Sequence, residues 1–132
     1  MNEVIQFIKK AAVFFIATVD DGAPRVRPFG AVMEFEGNLY LCMNNQKKVY
    51  RQLKQNNRIE LCAYDGAGNW LRVSALVTFD ERQEAREAML VECPNLRDMY
   101  SADDGLYEVC YLKDAIATFY SFTGEPRVVA FG

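Results

Sequence analysis

Two lysines stand where the polypeptide backbone is already positive. The segment "CMNNQKKVYRQLKQNN" leaves an apolar run, passes Asn44 and Asn45, and begins a predicted helix. A helix N-terminus carries roughly +0.5 of an elementary charge and unpaired N–H groups, so Lys47 and Lys48 are unfavourable there unless an anion is bound. With a phosphate bound they form charge-assisted contacts, and Asn44 or Asn45 is the expected helix cap. Two solvated surface lysines are the alternative.

A second basic feature lies on an earlier predicted strand, "PRVRPFG". Alternation places Arg25, Arg27 and Phe29 on one face of that strand. The arginine fork matches a pair of phosphate oxygens better than lysine does. Pro28 weakens a strand ladder, as happens where a ligand meets bare backbone. The alternative is an exposed edge strand that carries arginines for solubility.

Composition restricts the chemistry that these residues can serve. The chain has 132 residues and a net charge of -3, which predicts one domain spanning 1–132 without general affinity for nucleic acid. Any basic patch is therefore local and suits a small ligand. Histidine is absent, which excludes Ser-His-Asp triads, Cys-His pairs, HExxH zinc sites and haem ligation through histidine.

Cysteine usage and hydropathy bear on the compartment. None of the four cysteines, at positions 42, 62, 93 and 110, forms a C-x-x-C pair. Cys42 and Cys62 lie in alternating apolar runs and are expected to be buried thiols, which predicts a reduced, cytoplasmic setting and no metal site. No apolar run approaches the ~18–20 residues of a membrane span, and Lys9 and Lys10 interrupt the one near the N-terminus.

The elements that must position the basic residues are mostly strands. Consecutive strands joined by short turns favour an antiparallel barrel over a βαβ fold, with a hairpin at Glu36-Gly37-Asn38 and a bulge near Lys113-Asp114. Asp80 is the expected N-cap of the last helix. The predicted elements are a helix within 2–10, a strand 11–19, two strands within 24–43 joined at 36–38, a helix 46–55, strands 58–65 and 70–79, a helix 80–90, and one or two strands after 107.

The strand 70–79 has two different faces. Its alternate residues from Leu71 to Phe79 are all apolar and predict a core face. The opposite face carries Trp70 and Leu76 beside Arg72, which suits a semi-polar interface better than open water. We therefore expect a homodimer.

The order of these segments resembles the small FMN-binding split-barrel proteins of the pyridoxamine 5′-phosphate oxidase-like superfamily. The likeness covers roughly residues 8 to 126, through "RVRPFG", the hairpin, "LYLCMNNQKKVYRQLKQNNRIELC", "WLRVSALVTF" and "ATFYSFTGEP". It implies a mainly β (α+β) fold, a six-stranded antiparallel split β-barrel with two or three flanking helices. It also implies a homodimer with FMN at the interface.

The resemblance assigns roles to particular residues of this chain. It implies that Arg27, Lys47 and Lys48 contact the FMN phosphate. The backbone of Pro28 and Phe29 matches positions that lie along the edge of the isoalloxazine ring.

Five further positions are assigned in the same way. The resemblance implies that Met43, Asn44 and Asn45 touch the ribityl chain and the phosphate. Trp70 and Arg72 fall on the strand that closes the flavin pocket from the partner subunit.

A histidine-free chain suits flavin chemistry, because hydride moves to and from N5 of the cofactor and no side-chain base is obligatory. We expect an FMN-dependent oxidoreductase acting on a small molecule, such as a nitro compound, a flavin-reductase substrate or a quinone-like acceptor, with NAD(P)H as electron donor. The alternatives are a protein that only binds FMN, or the same barrel holding F420 or haem. Pyridoxamine phosphate oxidation itself is disfavoured, since the histidine that the authentic oxidase carries for its substrate is missing. The segment 93–107 is expected to be an ordinary loop rather than a lid.

Overall fold

A computed structural model describes residues 1–132, and most of its regular structure is β-strand. None of its helices has both the length and the apolar character needed to cross a lipid bilayer. The elements in chain order are α1 Asn2–Ala11, β1 Phe14–Asp20, β2 Ala23–Phe29, β3 Met33–Phe35, β4 Asn38–Asn44, α2 Lys48–Gln55, β5 Arg58–Tyr64, β6 Asn69–Asp80, α3 Gln83–Glu92, a 3₁₀ helix Pro94–Asp98, β7 Tyr107–Ser121 and β8 Arg127–Phe131.

All eight strands belong to one antiparallel sheet. The order is β2-β1-β5-β6-β7-β4-β3, and β8 pairs with β7. This arrangement is a split barrel with flanking helices, so the predicted fold class is confirmed. The predicted count of six strands is too low, because the predicted strand before the turn at Glu36 is two strands and the tail adds β8. β2 pairs with β1, whereas β3 pairs with β4, and the chain changes partner at residues 30–32.

Local turn chemistry sets the strand connections. The two-residue turns at Asp21-Gly22 (φ 49° and 83°) and Glu36-Gly37 (φ 52° and 80°) have positive φ throughout, as tight hairpins require. The predicted hairpin at Glu36 is therefore confirmed. The predicted bulge is confirmed as well, because the β6–β7 register shifts between Ser74 and Leu76, opposite Asp114 with φ 53°.

Two apolar cores result from this topology. The larger fills the barrel and is closed by residues of α1 and by Val49 and Leu53 of α2. The predicted core face of β6 contributes Leu71, Val73, Ala75 and Val77, all buried. The smaller core lies under α3 and includes Tyr40, Met89 and Tyr107. All four cysteines are free thiols, and Cys42 and Cys110 are buried.

The predicted cap of α2 is wrong. The helix begins at Lys48, and its N-cap Lys47 is extended and makes no side-chain cap hydrogen bond. Asn44 instead accepts a hydrogen bond through Oδ1 from the Gln46 N–H at 2.8 Å. This local side-chain turn uses the asparagine oxygen before the helix starts, so the N–H groups of Lys48 and Val49 have no acceptor in the protein.

The predicted cap of α3 is wrong for a related reason. Asp80 ends β6, whereas α3 begins at Gln83 with Arg82 as its N-cap. Asp80 Oδ1 accepts the Arg82 N–H at 3.0 Å, and Oδ2 accepts the Tyr40 hydroxyl at 2.7 Å. Aspartate favours both helix caps and such turns, and the tertiary contact with Tyr40 holds Asp80 in the turn.

Candidate functional site

A cavity of about 1250 Å³ opens between the edge strand β2, the end of β4, the start of α2 and the segment 92–100. It lies where the two cores meet. Met43 and Val49 in its wall belong to the barrel core, whereas Cys42 and Leu96 belong to the core under α3. Because β2 is the first strand of the sheet, the cavity borders an open edge, and Pro28 lies there without interrupting a central ladder.

Arg27 points inward at this edge and is held by neutral acceptors. Its Nη1 donates to Thr18 Oγ1 at 2.7 Å and to the Ile16 carbonyl at 3.2 Å, and its Nη2 donates to Gln52 Oε1 at 2.7 Å. Burial lowers the pKa of Arg27, but an arginine remains protonated in proteins. Its guanidinium is thus a half-buried cation with no carboxylate partner.

A buried polar pair fixes that guanidinium. The Thr18 hydroxyl donates to Gln52 Oε1 at 2.6 Å, and both residues are 2% exposed. Gln52 lies on the buried face of α2 with Val49 and Leu53. The roles of Thr18 and Gln52 were not predicted from the sequence. The sequence did carry a signal for Gln52. This polar residue lies three positions after Val49 and directly before Leu53, which is a core-facing position of the helix.

The start of α2 brings further donors to the same end of the cavity. Lys47, Lys48 and Arg51 line it, are exposed, and form no ion pair or side-chain hydrogen bond within the chain. The backbone N–H of Val49 also donates to no protein acceptor. Arg51 was not predicted, although it lies three residues after Lys48 and four after Lys47, on the same face of the helix.

The cavity wall is positively charged in a protein of net charge -3. Only two carboxylates line it. Asp20 pairs with Arg25 at 3.5 Å, and Glu92 pairs with Lys9, outside the cavity wall, at 2.6 Å. The five cations of the wall are Arg25, Arg27, Lys47, Lys48 and Arg51. Four of the five therefore face the cavity without an acidic partner, which is the arrangement expected of an anion site.

The remainder of the wall is largely apolar. It includes Phe29, Met43, Leu96 and Met99, together with the thiol of Cys42. Burial raises the pKa of Cys42 to about 12, so the thiol is neutral near pH 7. The cavity therefore suits a ligand with an anionic group at one end and an apolar body.

Most of the predicted site residues meet in this cavity. Those in its wall are Arg27, Pro28, Phe29, Met43, Asn44, Lys47 and Lys48. Asn45 does not line it, because the side chain turns the other way. Its Nδ2 donates to the Gly105 carbonyl at 2.8 Å and to Glu108 Oε2 at 2.9 Å.

Trp70 and Arg72 lie on the outer face of the sheet, away from this chain's cavity. The Trp70 ring stacks on Tyr120 with centroids 5.3 Å apart. Arg72 Nη2 donates to the Tyr120 hydroxyl at 2.8 Å. A contact between either residue and a ligand in the cavity requires a second copy of the chain, so the assignment to a partner subunit stays a prediction.

The expectation of an ordinary loop after α3 is wrong for the segment 93–100. Pro94–Asp98 form a 3₁₀ helix with proline in its first turn. Leu96 is buried in the smaller core, while Met99 is 66% exposed at the cavity rim. The wall formed by this segment was missed because its sequence has no helical or strand periodicity.

Comparisons with known proteins agree with this architecture. The family model described as pyridoxamine 5′-phosphate oxidase matches residues 1–109. The crystal structure of a NimC/NimA family protein from Clostridium acetobutylicum is 40% identical, with a TM-score of 0.96, covering 99% of this chain and 92% of that chain. No curated protein matches the chain.

More distant structures share the fold. A pyridoxamine 5′-phosphate oxidase-related, FMN binding protein from Nostoc punctiforme PCC 73102 is 15% identical, with a TM-score of 0.68, covering 99% of this chain and 96% of that one. A heme binding protein from Mycobacterium smegmatis is 16% identical, with a TM-score of 0.73, covering 93% of this chain and 57% of that one. The family model spans most of the chain and the Clostridium protein is similar over nearly all of it, so the chain belongs to the pyridoxamine 5′-phosphate oxidase family.

Proposed function

We propose that this protein binds FMN in the cavity and acts as an oxidoreductase on a small molecule. The observation that carries the proposal is the group of four cations without acidic partners at one end of an otherwise apolar cavity. FMN has the matching form, a phosphate joined through a polar chain to a planar ring system. The fold shared with an FMN binding protein supports the choice among phosphorylated ligands.

The phosphate is assigned to the start of α2. Lys47 and Lys48 supply charge, and the free N–H of Val49 lies in the positive end of the helix dipole. Arg27 already donates three hydrogen bonds to neutral protein acceptors, which leaves two of its five N–H groups for the ligand. Its bonds to Thr18 and Gln52 hold the guanidinium in place before the ligand arrives.

The ring system is assigned to the part of the apolar wall that lies outside the segment 93–100. Phe29 and Met43 offer apolar contacts there, and Asn44 lies between them and the lysines to meet the ribityl chain. Bound flavin supplies hydride transfer at N5. The residues of the chain then have three tasks, namely to hold the ring, to exclude water from one face and to leave the other face open. NAD(P)H is the proposed electron donor.

The other ligands of the same fold fit less well. Haem has no histidine ligand in this chain, and the cavity thiol of Cys42 stays protonated because burial raises its pKa to about 12. F420 carries a longer anionic part, which needs a more extended cationic site than one helix start and the half-buried Arg27 provide. A protein that only binds FMN uses the same cavity, so turnover separates it from an enzyme.

We further propose a homodimer formed through the outer face of the sheet. One row of directly opposed residues crosses five strands, from Phe15 through Cys62, Arg72 and Thr118 to Val128. Phe15 is 47% and Val128 63% exposed. Such a mixed apolar and polar surface is typical of an interface, and it brings Trp70 and Arg72 of one subunit to its partner.

The first experiment tests ligand and turnover in the purified protein. We expect a yellow preparation that releases FMN on denaturation and is bleached by NADH or NADPH under anaerobic conditions. A flavin spectrum without bleaching by either nucleotide supports the protein that only binds FMN. A colourless protein whose melting temperature does not rise with added FMN contradicts the proposal.

A paired substitution tests the phosphate assignment. Lys47→Ala/Lys48→Ala is expected to weaken FMN binding by about 2–4 kcal/mol, because both lysines meet a largely desolvated dianion. The matched control is Lys10→Ala/Lys113→Ala, which removes two exposed lysines outside the cavity. Equal FMN affinity in the two double variants contradicts the assignment.

The dimer is tested separately by light scattering after size-exclusion chromatography. The parent protein is expected to be dimeric, and Phe15→Glu/Val128→Glu to be monomeric, because carboxylates in the row oppose burial of that face. The control is Val91→Glu, an exposed position on α3 outside the row. A monomeric parent protein contradicts the proposed interface.

A further inference from the structure

The cavity is larger than one ligand needs. Single-ligand pockets in proteins are typically about 300–1,000 Å³, whereas this cavity has about 1250 Å³. β2, α2 and the end of β4 at Met43 and Asn44 line the half assigned to FMN, and Cys42 and the segment 93–100 line the other half. If FMN places its phosphate on α2, the half beneath the 3₁₀ helix is left for a second molecule.

That second compartment has no free charge. Its walls include Cys42, Cys93, Asn95, Leu96, Met99 and Tyr100. Glu92, the carboxylate of the cavity wall on this side, forms an ion pair with Lys9. Burial raises the pKa of both thiols, so neither is a thiolate near pH 7. A charged compound entering here loses hydration without meeting a counter-ion, which is unfavourable.

Two uncharged polar side chains lie in this wall, and Asn95 is exposed whereas Tyr100 is not. Tyr100 is half-buried, and its ring stacks on Tyr107 with centroids 5.0 Å apart. The Tyr107 hydroxyl donates to the Arg86 carbonyl at 3.0 Å, whereas the Tyr100 hydroxyl donates to no acceptor in the protein. Burial raises the pKa of Tyr100, which keeps its hydroxyl protonated as a donor. The compartment therefore combines aromatic and apolar contacts with one half-buried hydroxyl that is free to donate.

We infer that this compartment is the substrate subsite and that it takes an uncharged ring compound carrying an acceptor oxygen, the class to which quinones belong. The Tyr100 hydroxyl donates to that oxygen, and Leu96 and Met99 cover the ring. The inference rests on the proposed function for the position of FMN. It also separates this site from one for a phosphorylated substrate, since no cation lies in this half.

A matched pair of ligands tests the charge preference. FMN-loaded protein is titrated by calorimetry with 2-(hydroxymethyl)anthraquinone and with anthraquinone-2-sulfonate, both oxidised, so no turnover occurs. The neutral quinone is expected to bind at least tenfold more tightly, because the sulfonate has no counter-ion in the compartment. Equal or tighter binding of the sulfonate overturns the inference.

Tyr100→Phe tests the donor. Loss of one hydrogen bond is expected to weaken the neutral quinone about two- to tenfold while FMN affinity is unchanged. Tyr111→Phe is the matched control, because Tyr111 packs against the same core but lies outside the cavity. Unchanged quinone affinity in Tyr100→Phe, or the same loss in Tyr111→Phe, contradicts the assigned donor.

Met99→Lys tests the position of the compartment by reversing its selectivity. A lysine at this exposed rim is expected to tighten anthraquinone-2-sulfonate by about tenfold, whereas Val91→Lys, equally exposed on α3 outside the cavity, leaves it unchanged. No difference between the two variants overturns the inference.

FMN binding is measured first in every variant. Failure of the wild-type protein to bind FMN defeats the proposed function, whereas FMN binding without quinone binding defeats only the inference.

Discussion

Arg27 and Arg82 show two different uses of a charged residue in one small protein. Arg82, between β6 and α3, pairs through Nη2 with Asp80 Oδ2 at 2.9 Å and with Glu36 Oε1 at 2.5 Å. Arg27, in the cavity wall, meets neutral oxygens alone. The hydrogen bond to Asp80 and then that to Glu36 raise the pKa of Arg82, whereas burial lowers the pKa of Arg27.

The contrast separates charges used for folding from charges held for a ligand. Arg82 is neutralised by Asp80 and Glu36 inside the chain, so that cluster needs no ligand. In the cavity wall Arg27, Lys47, Lys48 and Arg51 repel one another, and an anion relieves the repulsion. Substitutions in the first region should change stability, and those in the second should change affinity.

The largest expected effect is that of Asp80→Ala on stability. Asp80 is 8% exposed, and its loss leaves the buried Tyr40 hydroxyl without its acceptor. We expect the free energy of unfolding in urea to fall by about 3 kcal/mol, with FMN affinity unchanged within about twofold. Glu81→Ala, at the exposed neighbouring position, should change stability by less than about 0.5 kcal/mol. A large loss of FMN affinity in Asp80→Ala would show that the Arg82 cluster and the cavity wall are coupled, which contradicts the contrast.

The pH dependence of stability sharpens the same contrast. The Arg82 guanidinium lowers the pKa of Asp80 from the ordinary 3.8 to about 2, below its value in the unfolded chain. The stabilising contribution is thus complete above about pH 4 and is lost as pH falls through 2. The difference in unfolding free energy between wild type and Asp80→Ala should therefore shrink by about 2 kcal/mol from pH 6 to pH 2. A constant difference across that range would show that Asp80 keeps its ordinary pKa.

Arg27→Met should show the opposite pattern. We expect FMN affinity to fall by about 2 kcal/mol through loss of a positioned cation. Stability should change by less than about 1 kcal/mol, because the lost hydrogen bonds are offset by removing a desolvated charge. FMN titration and urea unfolding measure the two quantities, and Arg58→Met, at an exposed position outside the cavity, is the control. A loss of stability with unchanged FMN affinity would show that Arg27 serves folding, as Arg82 does, and not ligand binding.

The cationic region was predictable from sequence because its signals are local. Charge at a helix start, alternation on a strand and two-residue turns are each set by neighbouring residues, so Lys47, Lys48 and Arg27 could be assigned to one end of a site. The buried face of β6 followed from periodicity in the same way. The resemblance to a split-barrel family then placed these pieces in one fold.

The remaining features depend on contacts between distant segments. Asp80 looks like a helix cap in sequence, and only the Tyr40 hydroxyl from β4 shows why it stays in a turn. Gln52 stands at a core-facing position of α2, and only Thr18 of β1 shows which donor its side chain meets there. The wall formed by the segment 93–100 depends on Leu96 reaching the core under α3. No local pattern encodes such partners.

The smallest expected effect is that of Asn45. It tests whether the hydrogen bonds behind the start of α2 influence the cavity. Its side-chain amide donates to Glu108, which also accepts from Arg86 Nη2 at 3.1 Å. These hydrogen bonds connect the turn before α2 to β7 and α3. Asn45 does not line the cavity, although its Oδ1 accepts from Nε2 of the wall residue Gln46 at 2.9 Å. It can affect FMN only by holding this turn, and with it Lys47 and Lys48, in position. Asn45→Ala is therefore expected to weaken FMN by about 1 kcal/mol, less than Arg27→Met.

Hydrogen exchange separates positioning from a general loss of stability. In Asn45→Ala the Lys47 amide, which donates to the Asn44 carbonyl at 3.1 Å, should exchange faster. Amides of β6 should be unaffected if the fold is intact. Glu108→Gln keeps one acceptor oxygen and should lose about half as much affinity. If Asn45→Ala leaves both FMN affinity and Lys47 exchange unchanged, the bonds of Asn44 alone hold the turn, and the cavity is independent of the network behind it.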